Sequence, residues 1–208
     1  MTESGAPVHR SRQQRTSDSR QRILDAAIAC LIEHGYSGTT TLMIQSRADV
    51  SRGRLLHHFP SREVLLVAAT QHLATSRMHQ IGTRVARLSE NRDDGADRLD
   101  LAVELLWETF HEPYFWAAIE IWTAARTNDN LARALLPEER RLGAAIRETI
   151  DTIYGPEVRN HPLYPQVREL LFTSMRGVAL TYAFDPRPPA TDPHLAQWKN
   201  IARRLLDL

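Results

Sequence analysis

Residues 20–66 read RQRILDAAIACLIEHGYSGTTTLMIQSRADVSRGRLLHHFPSREVLL, and the punctuation of this stretch decides the fold. Ile23, Leu24, Ala27, Ile28, Leu31 and Ile32 recur at steps of one, three and four residues, the stripe of an amphipathic helix. Gly35 stops that helix as a C′ glycine, and Ser17 or Asp18 is placed to cap its start. Thr39, Thr40 and Thr41 supply caps for a second, short helix to about Ala48. Asp49-Val50-Ser51 reads as a tight turn, in which Asp tolerates the left-handed conformation. Ser51 caps a third short helix from Arg52 to about Phe59. Pro60 breaks it, and Ser61 caps a long fourth helix from Arg62 to about Leu88. Two short helices about four residues apart, inside a three-helix unit, form a helix-turn-helix candidate.

The remainder also reads as helical, because it holds no alternating apolar run bounded by Asn-Gly or Asp-Gly turns. Helices are expected near 96–111, 114–127, 130–154, 163–184 and 193–207, giving an all-α chain of about nine helices. Pro113, Asn128-Asp129-Asn130, Gly155-Pro156, His161-Pro162 and the segment 185–189 separate them. Pro137 is expected to kink the seventh helix or mark its real start, with Leu135-Leu136 in a separate turn.

Composition bounds the function. The chain has 208 residues, 42% hydrophobic and 25% charged, which excludes wholesale disorder. No stretch approaches about 18 uninterrupted apolar residues, so no membrane span is expected. The polar, basic first residues lack the apolar core of a secretory signal. The single cysteine, Cys30, makes an internal disulfide impossible and fits a reducing cytoplasm. The net charge of +1 conceals an asymmetry: residues 1–62 carry nine arginines against five acids, and the rest carries seventeen basic residues against twenty acids. A basic front on a mildly acidic body suits a polyanion-binding head. No GxSxG, Walker loop, HExxH or Cys–His pair is present, so an enzyme is not expected. Nor is a cofactor.

The quoted stretch resembles the DNA-binding head of the TetR family of bacterial transcriptional regulators. The resemblance rests on Gly35-Tyr36, the threonine run, Ile44, Val50-Ser51-Arg52-Gly53, Leu55, His58-Phe59 and Ser61-Arg62-Glu63. Three residues depart from the usual pattern: Gln45 for Ala, Asp49 for Gly in the turn, and Leu56 for a phosphate-touching Tyr. Residues 1–17, rich in Ser, Arg, Gln and Thr without apolar periodicity, read as a flexible basic arm, and the resemblance implies a helix-turn-helix head over 18–64 and an effector-binding and dimerisation domain over 65–208. It further implies a homodimer through residues about 163–184 and 193–207, bound to a palindromic operator in double-stranded DNA.

In such a head, Ser51, Arg52, Gly53 and Arg54 lie where a recognition helix meets base edges. Arg52 and Arg54 are the candidate base readers, since Arg bonds guanine bidentately; solvated contact with phosphate alone is the plainer alternative. Gly53 permits close approach. The resemblance assigns Thr41, His58 and Arg62 to phosphate, and helix N-termini favour anions at Thr41 and Arg62. Thr41 and Ser61 also have a purely capping reading. His57 and His58 point about 100° apart on a helix and make a poor metal chelate, so no metal site is expected. Arg10, Arg12, Arg15, Arg20 and Arg22 either follow DNA or form a solubilising tail.

In the body, the sixth helix, Tyr114 to Arg126, is apolar nearly all round and therefore expected at the centre of the bundle. Glu120 within it must be paired, neutral or facing a polar cavity. An effector pocket walled by Trp107, Phe110, Phe115, Glu120 and Trp122 is expected, open to a small, largely apolar ligand; ordinary core packing around a buried salt bridge is the alternative. Ser174, Gly177 and Ala179 are small enough for close helix approach, and Leu195, Trp198, Ile201, Ala202 and Leu205 form a stripe on the last helix. The expected function is a dimeric repressor released from its operator by an effector. An effector-independent, chromosome-organising DNA-binding protein of the same shape is the alternative.

Overall fold

A computed structural model describes residues 12–89 and 95–208. The described residues form nine α-helices and no strand: α1 (Arg12–Gly38), α2 (Thr41–Ala48), α3 (Arg52–His58), α4 (Arg62–Ser89), α5 (Gly95–Thr109), α6 (Pro113–Ala125), α7 (Asp129–Arg159), α8 (Tyr164–Thr181) and α9 (Pro193–Leu205), with a short 3₁₀ turn (Pro189–Thr191) before α9. None of the described helices is long and apolar enough to cross a membrane.

The short helices begin and end where their side chains satisfy free backbone groups. Thr40 caps α2 by accepting from the Met43 N–H, Ser51 caps α3 by accepting from the Arg54 N–H, and Ser61 accepts from the Val64 N–H. Asp49 closes α2 in the left-handed region, at φ 50° and ψ 58°. At Gly35 the chain adopts φ 65° and ψ −179°, a region essentially restricted to glycine, and α1 proper ends there. The start of α1 differs from expectation: the arm predicted over 1–17 is helical from Arg12, as the helix-favouring Arg and Gln of that segment allow. Residues 1–11 of that predicted arm, with Arg10, lie outside the described residues.

Two apolar cores hold the molecule together. The first gathers Ile23, Leu24, Ala27 and Leu31 of α1, Ile44 of α2, Leu55 and Phe59 around α3, and Leu65, Leu66, Val67 and Ala69 of α4. It continues into Ala117 and Ile121 of α6 and Leu131 and Leu135 of α7. The second is built on α5, whose Leu99, Val103, Leu106 and Trp107 are buried among α7, α8 and α9.

Two expectations about the body are corrected. The central helix is α5, not α6, which fully buries only Phe115, Ala117 and Ile121. The apolar excess of α6 is instead divided between the head, the body core and a cavity. Helix α7 runs through Pro137 with helical backbone, so Leu135-Leu136 is no separate turn. Leu136 and Pro137 are exposed, which leaves water to serve the carbonyl that the missing N–H would have bonded. The real break is at Gly155, at φ 77°, where a Cβ would meet the Arg98 guanidinium at 3.0 Å.

Candidate nucleic-acid interface and body cavity

Helix α3 is held by a single buried residue and is otherwise solvent-facing. Leu55 is 2% exposed and inserts into the head core, while Ser51, Arg52, Gly53, Arg54, Leu56 and His57 are exposed. Nothing lies within 4 Å of a Cβ built on Gly53, so that face is open. Arg52 and Arg54 have no ion-pair partner among the described residues. Thr41 is the first residue of α2, half-buried, with Thr40 rather than Thr41 acting as its cap. Two apolar residues flank this surface: Leu42, 70% exposed on α2, which sequence reasoning did not single out, and Leu56, 45% exposed on α3, the residue standing in place of the usual Tyr. The signal was available, because each breaks the apolar period of its own helix. Among the described residues no cluster of His, Cys, Asp or Glu could hold a metal.

Arg62 and His58 are not on that face. The Arg62 guanidinium donates to the Thr39 carbonyl at 2.7 Å and to the Tyr36 carbonyl, and stacks 4.1 Å from the Tyr36 ring. Those carbonyls are freed by the chain reversal at Gly35, so Arg62 serves as the helix-end cap of α1. The Ser19 hydroxyl donates to the Thr16 carbonyl and its oxygen contacts His58 Nε2 at 3.0 Å, which leaves the imidazole as the donor. Burial, helped by the neighbouring His57, Arg20 and Arg54 charges, holds the His58 imidazole below its ordinary pKa of 6.5.

Glu120 is also relocated. It is exposed rather than enclosed, and its Oε2 accepts from the Tyr36 N–H at 2.9 Å. A Cβ on Gly35 would lie 3.1 Å from the same oxygen, so the glycine also gives the carboxylate room. Asn128 caps α7 and donates to the Tyr36 hydroxyl at 3.4 Å. The end of α1 is thus gripped by α4, α6 and the start of α7.

The opposite side of α6 faces a cavity of about 90 Å³. Phe110, Phe115 and Trp122 line it, with Leu106, Met78, Tyr114, Ile119, Ile146 and Phe172 completing an almost wholly apolar wall. Trp107 does not line it: it is 1% exposed in the body core, 4.7 Å from the Trp198 ring and 4.5 Å from His111. Trp122, Glu139, Leu142, Ile146, Phe172 and Arg176 also line a second space of about 230 Å³, so chamber and vestibule share a wall. Burial raises the Glu139 carboxyl above its ordinary value, against the lowering pull of Trp122, Gln71 and the Arg176 charge. Sequence reasoning missed Glu139, Phe172 and Arg176. Phe172 and Arg176 stand one helical turn apart on α8, a legible pairing that was overshadowed by the apolar stripe around it.

One further surface is unsatisfied. On α8 and just beyond it, Leu163, Leu170, Leu180 and Phe184 are exposed, Leu170 at 52% and Phe184 at 90%; on α9, Ile201 and Leu205 join them. Ser174 is not a free contact point, since it accepts from the Trp198 indole at 3.0 Å.

Comparison with known proteins agrees with these features. Residues 23–69 match the family model for bacterial regulatory proteins, tetR family. The chain is 25% identical over 179 residues to the HTH-type transcriptional regulator Rv2912c of Mycobacterium tuberculosis, covering 86% of this chain and 90% of that one. It is 31% identical over 122 residues to the HTH-type transcriptional repressor Rv1474c of the same organism, covering 55% of this chain and 65% of the repressor. The fold matches that of the multidrug binding protein EbrR in complex with imidazole, with a TM-score of 0.59 at 22% identity over 89% of this chain and 93% of that one.

Proposed function

We propose, on the premise that this chain belongs to the TetR family of bacterial regulatory proteins and is a DNA-binding transcriptional regulator, that it is a homodimeric repressor released from a palindromic operator by a small, largely apolar effector. One observation carries the reading. The helix that follows the Asp49 turn presents Arg52, Gly53 and Arg54 to solvent while committing only Leu55 to the core. Arg52 and Arg54 read bases, with Ser51 and Gly53 beside them at the base edges and Thr41 on a flanking phosphate. Residues 18–64 act as the reading head and 65–208 as the sensing and pairing body, in the cytoplasm with the DNA.

The exposed apolar stripe on α8 and α9 supports pairing of two copies into a four-helix interface, each copy supplying the same two helices. Two heads then address half-sites about 34–36 Å apart. The cavity supports effector control. Ala118, Ile119 and Trp122 on one side of α6 meet the effector, while Glu120 on the other side holds the Tyr36 N–H of the head. An effector that displaces α6 or α4 changes the separation of the two α3 helices. By linkage, DNA and effector weaken each other by the same factor.

The test is fluorescence anisotropy with duplexes from the DNA flanking the protein's own coding region, over a range of salt. Specific binding that weakens steeply with salt, and weakens again in Arg52→Ala and Arg54→Ala, is expected. Equal affinity for those duplexes and for unrelated DNA overturns the operator reading.

A further inference from the structure

Resting on the reading of the chamber as an effector site, we propose that its ligand is a small monocarboxylate: an apolar ring or short chain of carbons seated in the chamber, with its carboxylate held by Arg176 and the Trp122 indole N–H. Most of the polar groups around the chamber already have partners. Thr70 spends its hydroxyl on the Leu66 and Val67 carbonyls, and Thr109 spends its own on the Leu106 carbonyl. Gln71 donates to Glu139 at 2.9 Å. The Trp122 Nε1 is buried without a hydrogen bond. Arg176 is half-buried between two rings, 5.6 Å from Trp122 and 5.6 Å from Phe172, and makes no hydrogen bond or ion pair among the described residues.

Both groups are donors, and the acid beside them is Glu139, on which the Trp122 indole and the Arg176 charge both pull. A buried donor left without an acceptor is costly, and a guanidinium offers two parallel N–H groups that fit one carboxylate. A cationic ligand meets Arg176 as a like charge, and a neutral one leaves its fork unused. The neighbouring Arg168 is held by Asp151 at 2.5 Å through Nη1, which leaves its buried Nε as a further donor on the vestibule wall. Glu139 and, on the vestibule side, Glu169 are the acids on these walls, with Arg147 as a further cation. Glu139 already accepts from Gln71, and burial raises its pKa above the ordinary value. The size also argues for a small ligand. A cavity of about 150 Å³ accepts a benzene ring, so a chamber of about 90 Å³ takes one ring only if the ligand also occupies part of the adjoining space of about 230 Å³ that shares its wall. Arg176 lines both spaces and meets the ligand's carboxylate.

Calorimetry on the full-length protein with benzoate, benzamide and benzylammonium tests this directly. Benzoate is expected to bind at least about tenfold more tightly than either relative, the size of one charge-assisted contact. Arg176→Gln is expected to bring benzoate and benzamide within about threefold of each other, and Arg176→Lys to keep part of the preference. Ala118→Phe, which fills the chamber, is expected to abolish binding of all three, with helical circular dichroism confirming that each variant folds. Benzamide or benzylammonium binding as tightly as benzoate overturns the carboxylate proposal and leaves the effector-site reading standing, as does a preference that survives Arg176→Gln. Absence of heat from all three probes with the wild type overturns the proposal together with the effector-site reading.

Discussion

Replacing Glu120 with alanine isolates the contact that joins head to body. The carboxylate accepts a single backbone N–H, that of Tyr36, at 2.9 Å. A hydrogen bond to a charged group contributes about 1.5–3 kcal/mol, but Glu120 is exposed, so water competes and about 1 kcal/mol is the appropriate figure. If that bond closes the local opening of the Tyr36 amide, its loss speeds hydrogen exchange there about fivefold. The same energy lowers the melting temperature by about 2–4 °C in a chain of this size. The Arg54 amide, capped independently by Ser51 at 3.3 Å, is expected to exchange at its wild-type rate. Amide-resolved exchange by NMR makes the comparison. Glu120→Gln keeps an acceptor and is expected to fall between the two. An unchanged Tyr36 amide in Glu120→Ala, or an equal acceleration at Arg54, refutes the assignment of Glu120 as a specific grip on the end of α1.

Other outcomes follow from the same geometry. Arg52→Ala and Arg54→Ala are each expected to cost about 1–3 kcal/mol on a specific duplex and far less on random DNA, as read by anisotropy at fixed salt. Gly35→Ala forces an L-residue to φ 65° and presses a methyl to 3.1 Å from Glu120, so a loss of about 1–3 kcal/mol is expected in chemical denaturation. Leu170→Asp, at the centre of the exposed α8 stripe, is expected to give monomers in sedimentation while leaving the helical circular dichroism intact. The His58 pKa is depressed in the folded protein, so the unfolded chain binds the extra proton first as pH falls. Stability conferred by neutral His58 is therefore complete above its ordinary value of 6.5 and declines below it, and His58→Asn is expected to flatten that acid limb of the melting curve.

The head was readable because its signals are local. A cap, a turn and a glycine each act within about four residues, and α2 and α3 begin at the residues that Thr40 and Ser51 dictate. Long-range choices were not readable. Arg62 sits at a helix start, where an anion is favoured, yet 26 residues away the reversal at Gly35 exposes a carbonyl that takes it instead. Glu120 in an apolar helix suggested enclosure, but a helix with three different neighbours has no single inside. The same cause misplaced α6 at the bundle centre, a position taken by α5. Trp107 and Trp122 look equivalent in the sequence, and only the packing of α9 on α5 assigns the first to the core and leaves the second on the cavity wall.

The apolar interior of the reading head does not end with the residues that contact DNA. Ala117, Ile121, Leu131 and Leu135 of the body complete it. A head transplanted onto another member's sensor would therefore meet foreign side chains in its own centre. Domain exchange between such regulators calls for moving these four positions along with the reading unit, and chimeras joined simply at the start of α4 should fold poorly even when both parents are stable.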